Sequence, residues 1–239
     1  MDSKNTVLIY SGGMDSTILL YTLLNENYTV RCLSIDYGQK HKKELLAASK
    51  ICSELNLEHK TINLSNLNQL FKNSSLINPD QPIPEGHYEQ ENMKATVVPN
   101  RNMILLSLAT AWAISTESKL VSYAAHAGDH AIYPDCRESF AQSMNEAMQL
   151  CDWNAIQLHR PFVHLTKADI CKLGSELQVP YENTWSCYLG GKLHCGRCGT
   201  CIERREAFYL AQIEDPTTYM PNAPSIEQML ETNWKLIED

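Results

Sequence analysis

Short apolar runs alternate with amphipathic stretches through the first half of the chain. Residues around 6–10, 28–35 and 58–62 concentrate β-branched and apolar side chains and read as strands. Residues around 16–26 and 41–55 repeat apolar positions at helical spacing. Strand, helix, strand in this order predicts βαβ units on a parallel sheet. The periodicity then stops. Residues 64–98 are rich in Asn, Ser, Pro and Gln, and so long a polar stretch inside a domain predicts a functional or mobile segment such as a lid.

The pattern resumes at Arg101–Ser115, where Met103, Ile104, Leu105, Leu108, Trp112 and Ile114 predict a mostly buried helix. Leu120 to Ala124 reads as the next strand and runs into His126-Ala127-Gly128-Asp129-His130. A helix is expected over about 137–150. Thr166-Lys167-Ala168-Asp169 resembles a capping box, with Asp in place of Glu, opening a helix to about 177. No internal repeat is evident. The expected fold is a doubly wound parallel α/β sheet over residues 1–180, with a small C-terminal metal-binding subdomain over 181–239.

Composition narrows the function classes. No apolar stretch approaches the ~18 residues that a membrane span requires, and no basic-then-apolar leader opens the chain, so a soluble cytoplasmic protein is expected. The net charge of −8 disfavours a long polyanion as main partner, since phosphate contacts come chiefly from Lys and Arg. Nine cysteines in a chain read as cytoplasmic point to metal ligands, core positions or reactive thiols before disulfides.

The densest chemistry lies at the first strand-to-helix junction. Ser11-Gly12-Gly13-Met14-Asp15-Ser16 follows the run ending at Tyr10 and precedes Thr17-Ile18-Leu19-Leu20. Successive backbone N–H groups at a helix start form an anion nest, and glycine lets a phosphate approach the backbone. No lysine follows, so this is not the loop of γ-phosphate-transferring enzymes. A Gly-Gly pair alone would be an ordinary turn.

A second concentration is Cys187, Cys195, Cys198 and Cys201, four thiols in fifteen residues with intervening glycines. This suits a tetrahedral four-thiolate site, structural zinc in preference to an iron–sulfur cluster, with His194 as a neighbour. Two shorter strings are ambiguous by themselves. Tyr133-Pro134-Asp135-Cys136-Arg137 reads as a turn or as a substrate loop, and Arg137 could lower the Cys136 pKa. Asp36-Tyr37-Gly38-Gln39 either ends a strand or lines a ligand, and in Pro99-Asn100-Arg101-Asn102 either Arg101 holds phosphate or Asn100 caps a helix.

Taken in order, these strings resemble the QueC-type 7-cyano-7-deazaguanine synthases of the PP-loop ATP pyrophosphatase superfamily. The phosphate loop, Asp36-Tyr37-Gly38-Gln39 followed by His41, Val98-Pro99-Asn100-Arg101-Asn102, Tyr133 to Arg137 and the terminal cysteine set carry it over roughly residues 6–210. The resemblance implies a Rossmann-like fold and an ATP-dependent reaction. In it 7-carboxy-7-deazaguanine and ammonia yield the nitrile through an adenylate and an amide, on the way to queuosine. It implies that Ser11, Gly12, Gly13, Asp15 and Ser16, flanked by Tyr10, Met14 and Thr17, bind ATP, with Asp15 helping to hold Mg²⁺. Asp36, Tyr37 and Gln39 would line the nucleotide or substrate, Asp15, Arg101, Asp135 and Arg137 would serve the reaction, and the four cysteines would bind Zn²⁺. A homodimer is implied as well. No glutaminase segment is evident, so free ammonia is the expected nitrogen source. The nearest alternative is an amide ligase that joins the same adenylate to another amine. tRNA thiolation fits the acidic balance poorly, and a zinc-dependent binding module leaves the intact phosphate loop without a purpose.

Overall fold

The computed structural model describes residues 4–236. Five strands, β1 (Asn5–Ile9), β2 (Thr29–Asp36), β3 (Glu58–Asn63), β4 (Leu120–Ser122) and β5 (Gln157–His159), form one sheet in the order β3-β2-β1-β4-β5. Every pairing is parallel. Parallel neighbours require crossovers, and helices supply them. These crossovers carry α1 (Met14–Asn25), α2 (Lys43–Glu54), α3 (Arg101–Ser115) and α4 (Glu138–Leu150), and α5 (Lys167–Glu176), α6 (Gly199–Ala211) and α7 (Ile226–Glu231) follow β5.

Alternation along β1 shows how the layers form. Leu8 faces a core built with α1, α2, α5 and α6, including Ile18, Leu19, Ile51, Ile170 and Phe208. Val7, on the opposite face, joins Leu106 and Ala109 of α3 and Met144 and Met148 of α4. Burial on both faces explains why the central strands read as continuous apolar runs. Each such side chain contributes about 1.5–3 kcal/mol on leaving water. Because α6 adds Ala207, Phe208 and Ala211 to the first core, the helix after the cysteines is built into the main body.

Residues 64–98 fold as two 3₁₀ segments, Ser65–Phe71 and Glu91–Thr96, around a small core of Phe71, Leu76, Ile77 and Val98. This stretch is tied to the cysteine region. Gly86 N–H donates to the Arg197 carbonyl at 3.1 Å, and Arg197 Nε meets Glu85 Oε2 at 2.7 Å. Beyond α6 the chain returns across the same region. His194 N–H donates to Thr218 O and its carbonyl accepts from Met220 N–H, while Met229 and Trp234 bury Ile202. Among the described residues no helix is long and apolar enough to cross a membrane.

Candidate active site

In this strand order the chain runs outward from β1 through β2 to β3 and then returns to place β4 on the other side of β1, and a crevice opens beyond the C-terminal ends of β1 and β4. The loop after β1 lies there. Gly12 has φ +79°, and a Cβ on it would stand 2.4 Å from Glu44 O and 2.5 Å from Ala48 N of α2. Only glycine fits so close a helix in that conformation. Gly13 precedes α1 with no side-chain cap, so the opening amides of the helix are left for a ligand. Ser11 Oγ and Ser16 Oγ lie 3.0 Å apart beside them, and Ser11 Oγ accepts from Gly13 N–H at 3.1 Å.

A charged cluster flanks the loop. Lys167 Nζ, at the start of α5, lies 3.0 Å from Asp15 Oδ2 and 2.7 Å from Glu203 Oε2 of α6. His126 Nε2 lies 3.7 Å from Asp15, 3.5 Å from Asp129 and 3.9 Å from Glu203. Its Nδ1 accepts from Gly128 N–H, which places the proton of the neutral ring on Nε2, facing the carboxylates. Burial by itself would raise the Asp15 carboxyl. The Lys167 ammonium, aided by the neighbouring His126, outweighs that and holds it below its ordinary range. Burial likewise disfavours the Lys167 ammonium, yet Asp15 and Glu203 raise it well above the usual lysine value.

The cavity measures about 260 Å³ and has two characters. The loop and the charged cluster form one end. Arg101, Tyr37, Tyr133 and Tyr188 line the other, a setting for a planar polar ring. Tyr133 OH bonds Thr96 Oγ1 at 2.6 Å and lies 3.2 Å from Tyr188 OH. Burial pushes the Tyr133 and Tyr188 hydroxyls up, so both stay protonated donors.

Of the residues that the sequence singled out, Tyr10, Ser11, Gly13, Met14, Asp15, Ser16, Tyr37, Gln39 and Arg101 line this cavity. Others stand behind it. Gly12 seats the loop on α2, and Thr17 donates to Gly13 O at 2.8 Å. Asp36 is 4% exposed, pairs with Lys42 at 2.6 Å and accepts from Gly38 N–H, which shapes the turn after β2. Asp135 Oδ2 accepts from Asn102 N–H at 3.0 Å, so it caps α3 and thereby places Arg101. Asn100, with φ +59°, gives no side-chain cap. Arg137 is exposed and donates to the His130 carbonyl, away from the cavity. Cys136 does line it, but the expected lowering of its pKa is reversed. Burial drives the thiol up, with Asn102 Nδ2 donating to Sγ at 3.2 Å.

Glu44, Tyr88, Lys167, Trp185, Tyr188 and Glu203 also line the cavity without having been singled out as site residues. Lys167 carried a signal of another kind, because the capping box of Thr166 and Asp169 is present as expected and accounts for that stretch locally. Glu203, two places beyond Cys201, was visible only as part of the following helix.

The four cysteine sulfurs lie within 4.8 Å of one another, and all four residues are buried. Cys195 and Cys201 Sγ are 3.8 Å apart, close to the ~3.8 Å edge of a tetrahedron with 2.3 Å metal–sulfur bonds. The amides of Cys195, Arg197 and Cys198 donate to sulfur, which favours thiolates. The donor set therefore fits a closed zinc site. His194 Nε2 accepts from Ser186 N–H, a neighbour's role. Trp185 N–H donates to Gly12 O at 3.1 Å and joins this knuckle to the phosphate loop.

Residues 5–212 match the family described as "Queuosine biosynthesis protein QueC". A protein of Methanoregula boonei named 7-cyano-7-deazaguanine synthase is 55% identical over 215 residues, covering 90% of this chain and 99% of its own. One of Colwellia psychrerythraea, named 7-cyano-7-deazaguanine synthase 2, is 47% identical over 216 residues, with the same coverages of 90% and 99%. Among solved structures, NMN synthetase from Francisella tularensis superposes with a TM-score of 0.52 at 15% identity, covering 97% of this chain and 83% of that one, a likeness of fold. With the matched segment spanning the phosphate loop, the cavity and the cysteine knuckle, the chain belongs to the QueC family of queuosine biosynthesis proteins.

Proposed function

We propose that this chain is a 7-cyano-7-deazaguanine synthase, which converts 7-carboxy-7-deazaguanine and ammonia to the nitrile at the expense of ATP. The observation that carries the reading is the joining of an uncapped phosphate-type helix start to an aromatic, Arg-bearing pocket in one cavity. The names of relatives up to 55% identical support the substrate.

The amides opening α1, with Ser11 and Ser16, bind the phosphate chain, and Lys167 adds a fixed cation beside it. Arg101 and the tyrosines hold the planar acid so that its carboxylate oxygen meets the α-phosphorus. That bond displaces pyrophosphate and leaves a mixed anhydride. Ammonia then adds to the acyl carbon, AMP departs, and the amide forms. A second activation, now of the amide oxygen, lets it leave as the nitrile forms. The adenylation is required because a bare carboxylate oxygen leaves poorly at neutral pH.

Asp15 Oδ1 is buried without a hydrogen-bond partner, an arrangement that suits Mg²⁺. Bound there, the ion would neutralise phosphate charge. The four cysteines would hold structural Zn²⁺ away from the reacting atoms. A homodimer is the proposed working form, since Leu150 and Trp153 at the end of α4 are 86% and 99% exposed and give a second copy an apolar surface to cover. Sedimentation velocity of wild type and Trp153→Ser checks it.

The test incubates purified protein with 7-carboxy-7-deazaguanine, Mg-ATP and ammonium and reads products by mass spectrometry. Nitrile, AMP and pyrophosphate support the reading, and Asp15→Ala should abolish them while keeping the fold. Amide without nitrile would transfer the assignment to a ligase using another amine. No ATP cleavage by wild type would overturn the substrate.

A further inference from the structure

Glu203 belongs to the helix that the cysteine knuckle starts, yet its carboxylate lies at the phosphate end of the cavity. Its side chain is 7% exposed, with Oε2 2.7 Å from Lys167 Nζ. Lys167 makes its other ion pair with Asp15 at 3.0 Å. An ammonium carries three N–H donors. Two are committed to carboxylates on α1 and α6, and the third is left for the cavity that Lys167 lines. A flexible four-carbon stem has no fixed aim of its own. Asp15 alone would leave the ammonium free to swing, and Asp15 is also the residue suited to a metal ion.

A second observation points the same way. Gly128 has an ordinary negative φ, so its backbone does not demand glycine, but a Cβ there would stand 2.8 Å from Glu203 Oε1. The turn after β4 is thus shaped to let this carboxylate through.

We propose that Glu203 is a positioning residue for ATP cleavage, holding Lys167 so that its free N–H meets the phosphate chain. This rests on the functional reading above. In the proposed reaction Glu203 touches no reacting atom and acts through Lys167.

The experiment compares wild type, Glu203→Gln, Glu203→Leu and Gly128→Ala, each checked for zinc content and native circular dichroism. Pyrophosphate release should show kcat reduced about 10- to 100-fold in Glu203→Leu with KM for ATP within about threefold. Glu203→Gln keeps an oxygen acceptor for Lys167 and should recover to within about fivefold of wild type. Gly128→Ala, which alters neither charge, should fall between the two. A wild-type kcat in folded, zinc-loaded Glu203→Leu would overturn the proposal, as would a Gln variant no faster than the Leu variant. An activity-independent reading comes from the Lys167 ammonium resonance in ¹⁵N-edited NMR. It should be sharp in wild type and Glu203→Gln and broadened away in Glu203→Leu. Persistence of the sharp signal in Glu203→Leu also overturns the proposal. If wild type cleaves no ATP, the functional reading has failed, and the NMR comparison alone still decides whether Glu203 holds Lys167.

Discussion

Glu44 lines the cavity in α2, where burial pushes its carboxyl from an ordinary 4.5 up to about 7, with Arg101 opposing the rise. The sign of the consequence follows from linkage. Below about 4.5 the group is protonated in both folded and unfolded chains and keeps its full stabilising share. As pH rises through 7 the folded protein must ionise it in a setting that disfavours charge, and that share is lost. Glu44→Gln mimics the neutral acid, so its melting temperature should exceed that of wild type at pH 8.5 and converge with it near pH 5. Equal gaps at both pH values would refute the shift. Asp135 and Arg137, adjacent to Cys136 in sequence, should separate as sharply. Asp135→Ala removes the cap of α3, should cost about 1–2 kcal/mol in urea unfolding and should displace Arg101, weakening substrate binding. Arg137→Ala should leave both nearly unchanged, because its guanidinium meets only a backbone carbonyl in the described contacts. The phosphate loop was legible in the sequence because its six residues are contiguous and sit between two clear elements. Lys167, Glu203 and Glu44 were not, since each lies in a different helix and only the sheet topology brings them to one edge. Asp135 was legible as important and not as a cap, because its partner is 33 positions away.

At the scale of elements, length decided what could be read. The long periodic helices α1 to α4 matched expectation within a few residues, whereas β5, three residues with only Leu158 buried, offers no periodicity to detect. The polar stretch 64–98 was recognised as unusual, but its anchoring on the knuckle depends on Glu85 and Arg197, 112 positions apart. The family match ends at residue 212, and the segment after it straps the knuckle. Arg204 Nε donates to Thr217 Oγ1 at 2.8 Å, Arg205 Nη2 to Pro224 O, and Tyr219 packs on the cysteines. A chain ending at Ile213 should therefore lose zinc to a chelator at least several times faster than the full chain, measured with a colorimetric zinc indicator. Equal release rates would make the strap irrelevant to the metal site. Cys198→Ser should lose bound metal altogether and become poorly soluble; a stable, active, metal-free variant would refute the structural role.

Across the whole molecule, a parallel sheet buried on both faces was the most predictable feature, because continuous apolar strands alternating with helices admit few other arrangements. What the pattern does not convey is that the two chemistry-bearing segments, about 170 positions apart, touch. Trp185 N–H donates to the carbonyl of Gly12, and Thr200 Oγ1 donates to the carbonyl of Ser186. The phosphate loop and the cysteine knuckle are thus neighbours sharing one stretch of main chain. Two ligands that bind such neighbours are joined by a thermodynamic cycle. Whatever factor zinc contributes to nucleotide affinity, nucleotide must return to zinc affinity in equal measure. Chelator competition with and without saturating Mg-ATP, set beside nucleotide titrations of zinc-loaded and zinc-stripped protein, should yield the same ratio above one. In a cell, the supply of ATP would then help decide how firmly this protein keeps its metal when zinc is scarce.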